Sequence, residues 1–141
     1  MLSLACAGPT VPTIEEFPLP SDAPPEAMAP RGTMQVTITA VDLLTADGTP
    51  IPITAVQVER IFQFRVWTFV PRGLQQVMDL VIRGGGGERT ILGLGTHPGY
   101  NALLSSLASS GNVPGLIPFV VTVYGARQIP LASRAFTLIV S

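Results

Sequence analysis

Apolar and polar residues alternate along much of this chain after residue 33. The first such run has an apolar residue at every second position: Met34, Val36, Ile38 and Ala40. This period of two is typical of a β-strand with one buried face. Asp47 and Gly48 follow as a turn signal, because Asp bonds to nearby backbone and Gly adopts left-handed angles without a steric penalty. The pattern therefore predicts a strand followed by a turn.

The longest β-prone run spans residues 54–70. Its first face is mainly apolar, with Val56, Val58, Phe62, Phe64 and Val66. The second face is also apolar, with Ile61, Trp67 and Phe69. Because strands usually span about 3–10 residues, we expect a bend, a bulge or a split near Glu59 and Arg60. Either a neighbouring subunit or a second sheet of the same domain would cover the second face.

The next part of the chain predicts a hairpin and one helix. Residues 74–83 and 88–93 flank four glycines, as the strands of a hairpin do. Between Pro98 and Gly111, leucines and alanines recur at helical spacing. Proline near the start and glycine just beyond the end strengthen this signal, so we predict one short helix here.

Two further β-prone runs close the chain, at residues 117–124 and 135–140. Strands joined by turns rather than by repeated helices favour antiparallel pairing. The predicted fold class is mainly β: an antiparallel β-sandwich, or a small barrel, with one short helix and an extended proline-rich amino-terminal arm. The run from Phe136 to Val140 is apolar on both faces, so we expect it to be central in its sheet or covered by another chain.

The first 32 residues differ in composition from the rest, and we assign them as an arm (1–32) that precedes the sandwich domain (33–141). Seven prolines between residues 8 and 32 fix backbone angles and remove amide donors, which excludes a helix or a central strand. The arm is acidic, whereas the only charged residues after position 89 are arginines. The arm of one subunit should therefore attract the carboxyl-terminal part of a neighbouring subunit. Four apolar residues are candidate anchors on a neighbouring subunit: Val11, Ile14, Phe17 and Leu19.

Charged residues are scarce in this sequence. They make up 12% of the chain, against about 25% in an ordinary soluble domain. This shortage indicates that neighbouring subunits, lipid or ligand cover much of the exterior, and we expect a homo-oligomer. The net charge of −1 does not provide the basic footprint of a nucleic-acid binder. No apolar stretch approaches the ~20 residues of a spanning helix, so we expect no membrane span.

No group of residues in the sequence indicates catalysis or the binding of a cofactor or metal. The glycine tract 84–87 lacks the Gly-Lys-Ser/Thr of a phosphate loop and is interpreted as a hairpin tip. Gly93 and Gly95 have the spacing that opens a dinucleotide fingerprint, but Pro98 stands where the third glycine belongs. His97 has no second histidine or cysteine near it in the sequence to complete a metal site. We therefore predict a protein that is not an enzyme and needs no cofactor.

A short stretch at the start resembles the end of a bacterial lipoprotein signal. In such signals a small residue precedes the lipidated cysteine, as Ala5 precedes Cys6, the single cysteine of this chain. The stretch lacks the basic start and the ~7–15-residue hydrophobic region of a complete signal. The resemblance implies a lipid anchor at Cys6, with the proline-rich segment as a spacer from the membrane.

Together these observations predict a non-enzymatic structural subunit of a large assembly. A small β domain with an extended arm is an architecture found among virion accessory proteins. The leading hypothesis is a phage capsid decoration (cement) or tail component, assembled in the host cytoplasm. It docks through its arm on other copies or on a major structural protein, with Ile61, Trp67 and Phe69 as a further interface. The alternative is a bacterial envelope lipoprotein or secreted β-sandwich binding module, anchored at Cys6.

Overall fold

A computed structural model describes residues 18–73, 79–85, 87–91 and 96–141. These residues form eight strands: β1 (Thr37–Thr45), β2 (Pro50–Pro52), β3 (Ile61–Val70), β4 (Asp79–Gly84), β5 (Gly87–Ile91), β6 (Gly99–Ser109), β7 (Gly115–Tyr124) and β8 (Pro130–Val140). Two single 3-10 turns complete the described elements, at Pro25–Ala27 and Ala126–Gln128. Within these residues no helix has the length and apolar character needed to cross a membrane.

The strands form two four-stranded antiparallel sheets that pack against each other. The first sheet has the order β2-β1-β3-β6, and the second has the order β5-β4-β7-β8. This architecture confirms the predicted mainly β class and is consistent with the predicted sandwich. The predicted hairpin around the glycine tract is also present, because β4 pairs with β5 and Gly84 lies opposite Gly87.

The core lies between the inner faces of the two sheets. All five residues of the predicted apolar face contribute to it: Val56, Val58, Phe62, Phe64 and Val66. An aromatic contact joins the sheets, since the ring of Phe64 lies 5.1 Å from that of Phe119 on β7. The ring of Phe64 also lies 5.4 Å from that of Phe62 on its own strand. The alternation seen in the sequence therefore identifies the buried side of β3.

The predicted bend near Glu59 and Arg60 is present. Glu59 has a φ of 58°, in the left-handed region, and β3 begins only at Ile61. Before the bend the chain leaves the first sheet, and Val56 forms an isolated parallel bridge with Val140 of β8. One long β-prone run is thus divided between both sheets.

The helix predicted between Pro98 and Gly111 is wrong, because these residues form β6. The strand pairs with β3, and a bulge shifts the register between Leu104 and Leu107. The extra residue places both leucines on the outer face three positions apart. That spacing imitates the period of a helix, which explains the error.

Of the two alternatives for the carboxyl-terminal run, the central position does not hold, and cover by another chain stays a prediction. Strand β8 lies at the edge of the second sheet rather than at its centre. Its last residues are nevertheless covered, by the chain itself: Ile139 donates its amide to the carbonyl of Ile53 at 2.8 Å and accepts from the amide of Val56 at 3.0 Å. The segment between β2 and β3 therefore protects the most apolar part of this edge.

Candidate functional site on the outer face of the first sheet

The outer face of the first sheet carries an unexpected group of buried side chains. The antiparallel register sets Asp42 of β1 beside Arg65 of β3, and Ala40 beside Trp67. These four residues point away from the core between the sheets, yet Trp67 is only 1% exposed. They are buried because another part of the same chain crosses this face.

The covering segment is the described part of the arm, residues 18–29. Leu19 and Ala23 pack against a small cluster formed by Ala27, Ala40 and Trp67. The arm keeps to the face by turning twice, at a β-turn where Ala23 donates to the carbonyl of Pro20 and at the 3-10 turn that follows. At Trp67 the second apolar face of the long run is therefore covered by the chain's own arm, which acts there as a third layer.

A hydrogen bond fastens the far end of this segment. The amide of Ala29 donates to the phenolic oxygen of Tyr100 on β6 at 2.8 Å. Tyr100 also packs against Phe69, with 5.0 Å between ring centroids. The arm is thus held at both ends of the face, by Tyr100 at one end and by the charged cluster at the other.

The charged cluster centres on Arg65. Its guanidinium makes a two-pronged contact with Asp42, from Nε to Oδ1 at 2.9 Å and from Nη2 to Oδ2 at 2.7 Å. Its Nη1 donates to Oδ2 of Asp22 in the arm at 2.8 Å. Trp67 completes the cluster, because its Nε1 donates to Asp42 at 3.0 Å and its ring lies 4.7 Å below the guanidinium carbon. A single cation therefore ties arm, β1 and β3 together.

The two carboxylates have different surroundings. The side chain of Asp42 is 8% exposed, whereas that of Asp22 is 54% exposed. The pKa of Arg65 lies above its ordinary value because the hydrogen bonds that it donates to Asp42 outweigh the effect of burial, and the bond that it donates to Asp22 adds to this. The pKa of Asp22 lies below its ordinary value because it accepts a hydrogen bond from Arg65. Both shifts favour the ionised forms of Asp22 and Arg65.

Beyond the arm, the same face ends in three exposed apolar side chains, which we call the apolar patch: Ile61, Leu104 and Leu107. Ile61 is 59% exposed and Leu107 is 60% exposed. A cation, Arg89, borders the patch at Leu107. Its Nη1 donates to the carbonyl of Leu107 at 2.7 Å.

A cleft of about 380 Å³ lies on the side of the sandwich where the arm passes β2 and β8. Isoleucines and prolines of β2 and its flanks line it, together with Phe136. Arg134 forms part of the wall, and its Nη1 donates to the carbonyls of Ile38 and Thr39 at 3.0 and 2.8 Å. The lining contains no histidine, cysteine or serine. Three carboxylates, those of Asp22, Glu26 and Asp42, also line the cleft, so its wall is partly charged and partly apolar.

The predicted arm anchors divide into two groups. Val11, Ile14 and Phe17 lie outside the described residues. Leu19 is described and packs on the Trp67 cluster of its own chain. Of the predicted interface on β3, Ile61 is exposed, Phe69 is half-buried and Trp67 lies under the arm.

The sequence analysis missed the residues that hold the arm: Asp22, Asp42, Arg65 and Tyr100. A signal existed for the central pair, because Asp42 and Arg65 are charged residues inside otherwise apolar strands. Buried charges of opposite sign in neighbouring strands are usually paired.

His97 has an identifiable structural role. It is exposed, just before β6, where its amide donates to Oδ1 of Asn101 at 3.2 Å and its carbonyl accepts from Nδ2 of the same residue at 2.8 Å. These bonds shape the entry to β6. Among the described residues, no group of three or more His, Cys, Asp or Glu side chains has the arrangement of a metal site.

A scan of protein-family models and a search of curated proteins find no match to this chain.

Proposed function

We propose that this chain is a non-enzymatic structural subunit of a larger protein assembly. It associates with other copies, or with a major structural protein, through its amino-terminal arm. The observation that carries this proposal is the outer face of the first sheet, where an extended proline-rich segment already docks. A face that binds such a segment by apolar packing, one ion pair and one hydrogen bond is an interaction surface.

The polar residues of this face support binding rather than catalysis. Asp42 and Arg65 satisfy each other, and Trp67 donates to the same carboxylate. A catalytic group would instead need to reach a substrate and change its protonation near neutral pH. Arg65 fastens the arm through Asp22, and Asp42 holds Arg65 in place.

The described surface also exposes many large apolar side chains. Besides the apolar patch these include Met28, Met34, Val113, Leu116, Val120 and Ile129. With charged residues at 12% of the chain, this exterior is poorly suited to a free monomer in water. Contacts with neighbouring subunits would cover such side chains.

Within this class we propose a virion accessory role, as a phage capsid decoration or tail component located in the virion. Its support is architectural: a small β-sandwich preceded by an arm with anchors at Val11, Ile14 and Phe17. Such a subunit is made in the host cytoplasm and joins the particle during assembly.

The second candidate is an envelope lipoprotein or secreted binding module anchored at Cys6. Two observations favour it, the small residue before Cys6 and the 380 Å³ cleft, which has room for a ligand segment. Mass spectrometry of the protein from its native host separates the candidates. Lipid on Cys6 would exclude the virion role, whereas an unmodified Cys6 would exclude the lipid anchor.

Sedimentation velocity of the full chain tests the assembly proposal. We expect the wild type to form oligomers whose size increases with concentration. The double variant Ile14→Ser/Phe17→Ser should remain monomeric with an unchanged far-ultraviolet circular dichroism spectrum, and Thr13→Ser should behave as wild type. A wild type that stays monomeric at its highest soluble concentration, or a double variant that assembles normally, would contradict the proposal.

A further inference from the structure

The apolar patch continues the surface on which the arm docks. In the β3–β6 register, Leu104 lies opposite Arg65 and Leu107 lies opposite Gln63, with Ile61 two residues further along β3. All three apolar side chains thus stand on the outer face, beyond the charged cluster. Within the described part of the chain, the face is covered around Trp67 and exposed at this end.

The covered half shows which kind of segment this face accepts. Residues 18–29 lie on it with small and medium apolar side chains directed at Trp67 and an acidic side chain directed at Arg65. The remaining half presents the same two features, apolar side chains and a cation, since the Nη1 of Arg89 reaches the carbonyl of Leu107. A proline-rich segment with apolar anchors and acidic residues would match it.

The chain contains such a segment directly upstream. Residues 11–17 read Val-Pro-Thr-Ile-Glu-Glu-Phe, with three large apolar residues and two adjacent acids. They end one residue before Pro18, where the described chain begins on this face. An extended segment covers ~3.1 Å per residue, so seven residues span about 20 Å, enough to cross the three side chains of the patch.

We propose that the apolar patch is the docking surface for residues 11–17 of a second copy of this chain. The choice of a second copy rests on the proposed function, because an arm that covered its own patch would provide no contact between subunits. An arm on one copy and a patch on the next form a head-to-tail contact, which repeats into a ring or a filament. Glu15 and Glu16 would lie near Arg89, which borders the patch.

Disulfide trapping between two single-cysteine proteins tests this contact. Both are made in a Cys6→Ser background, one with Ile14→Cys and the other with Leu107→Cys. Mixed under mild oxidation, they should form a covalent heterodimer, visible on a non-reducing gel and assigned by mass spectrometry. The matched control replaces Leu107→Cys with Val113→Cys, which is also an exposed apolar position, at 70%. That mixture should give several-fold less heterodimer.

A double variant on one chain separates the two sources of the arm. If Ile14→Cys/Leu107→Cys forms a disulfide within a monomer while the mixture of single variants forms none, the arm docks on its own subunit and the inference is overturned. The absence of a bond in both experiments overturns it as well. Should the wild type still form oligomers by sedimentation in either case, the proposed function stands and only this docking surface is wrong.

A second variant does not depend on disulfide geometry. Leu107→Glu places a charge on the patch at an exposed position, so the fold is retained. We expect self-association to weaken by about tenfold to a hundredfold, as for the loss of one buried leucine contact. Val113→Glu adds the same charge elsewhere and should change association less than threefold. Equal effects of the two variants would overturn the inference.

Discussion

Replacing Asp42 by Asn should destabilise the protein far more than replacing Asp22 by Asn. Both carboxylates bind the same guanidinium, at 2.7–2.9 Å and 2.8 Å respectively. Their exposure differs, since the Asp42 side chain is 8% exposed and the Asp22 side chain is 54% exposed. Water can replace Asp22 as a partner of Arg65, but it cannot reach the site of Asp42 as easily.

The magnitudes follow from this difference in burial. Removing one charge of a buried pair costs about 3–5 kcal/mol, because the other charge loses its buried counter-ion. Here the half-exposed Asp22 still contacts Arg65, so we expect the lower end of this range for Asp42→Asn. Removing one charge of an exposed pair costs ~0–1 kcal/mol. For a chain of this size the first change should lower Tm by about 10–20 °C and the second by a few degrees at most. Asp42→Asn keeps an oxygen that can accept the hydrogen bond from the Trp67 indole. The lost stability therefore measures the removal of the charge and not the loss of that hydrogen bond.

Urea unfolding followed by circular dichroism measures both free energies of unfolding. A double-mutant cycle provides the control, because Arg65→Met removes the cation that Asp42 neutralises. In the Arg65→Met background, Asp42→Asn should lower the free energy of unfolding by at least ~2 kcal/mol less than it does in the wild type. This difference is about half of the loss expected for breaking a buried ion pair. The reasoning would be refuted if the two Asn variants were equally stable, or if Arg65→Met left the cost of Asp42→Asn unchanged.

Three further predictions concern the hairpin and the arm. Gly84→Ala should lower the free energy of unfolding by about 2–4 kcal/mol, because the φ of Gly84 is +146° and an added Cβ would lie 2.5 Å from a β7 carbonyl oxygen. Gly87→Ala should lower it little, because an added Cβ there would meet no atom within 4 Å. Equal unfolding midpoints of the two variants would contradict this prediction. Leu19→Glu should release the arm from Trp67, the single tryptophan, and its fluorescence emission should then shift to longer wavelength. If the emission and its quenching by acrylamide stay unchanged, docking of the arm does not depend on the Leu19 side chain. Because the pKa of Asp22 is held below 3.8, its contribution to arm docking is complete above pH 3.8 and is lost as the pH falls through the lowered value. Quenching of Trp67 fluorescence by acrylamide should therefore rise on acidification in the wild type and rise less in Asp22→Asn. If quenching depends on pH in the same way in both proteins, protonation of Asp22 does not control docking of the arm.

Much of the fold was predictable because alternation is a local property. A strand with one buried face repeats every two residues whatever its partner is, so the core-facing residues between Val56 and Val66 could be assigned. The bend near Glu59 followed from a run longer than a single strand. The same local logic failed for β6, where a bulge gave Leu104 and Leu107 a helical spacing that only pairing with β3 reveals.

The candidate site could be predicted only in part. That residues 61–69 need cover on a second face was visible in the sequence as Ile61, Trp67 and Phe69. What supplies that cover was not visible, because Asp22 and Arg65 are 43 residues apart in the chain. Nothing in the local pattern of either residue specifies the other.

The sequence by itself determined that this protein is a β-rich domain with a proline-rich arm, a shortage of charge and an excess of apolar surface to cover. These properties follow from composition and from the two-residue period of a strand. Tertiary structure alone decided that the arm folds back on the first sheet, that Arg65 joins three segments, and that the patch at Leu107 stays exposed. The physical reason is that burial and ion pairing depend on which distant segments meet, and a period of two residues carries no information about distant partners.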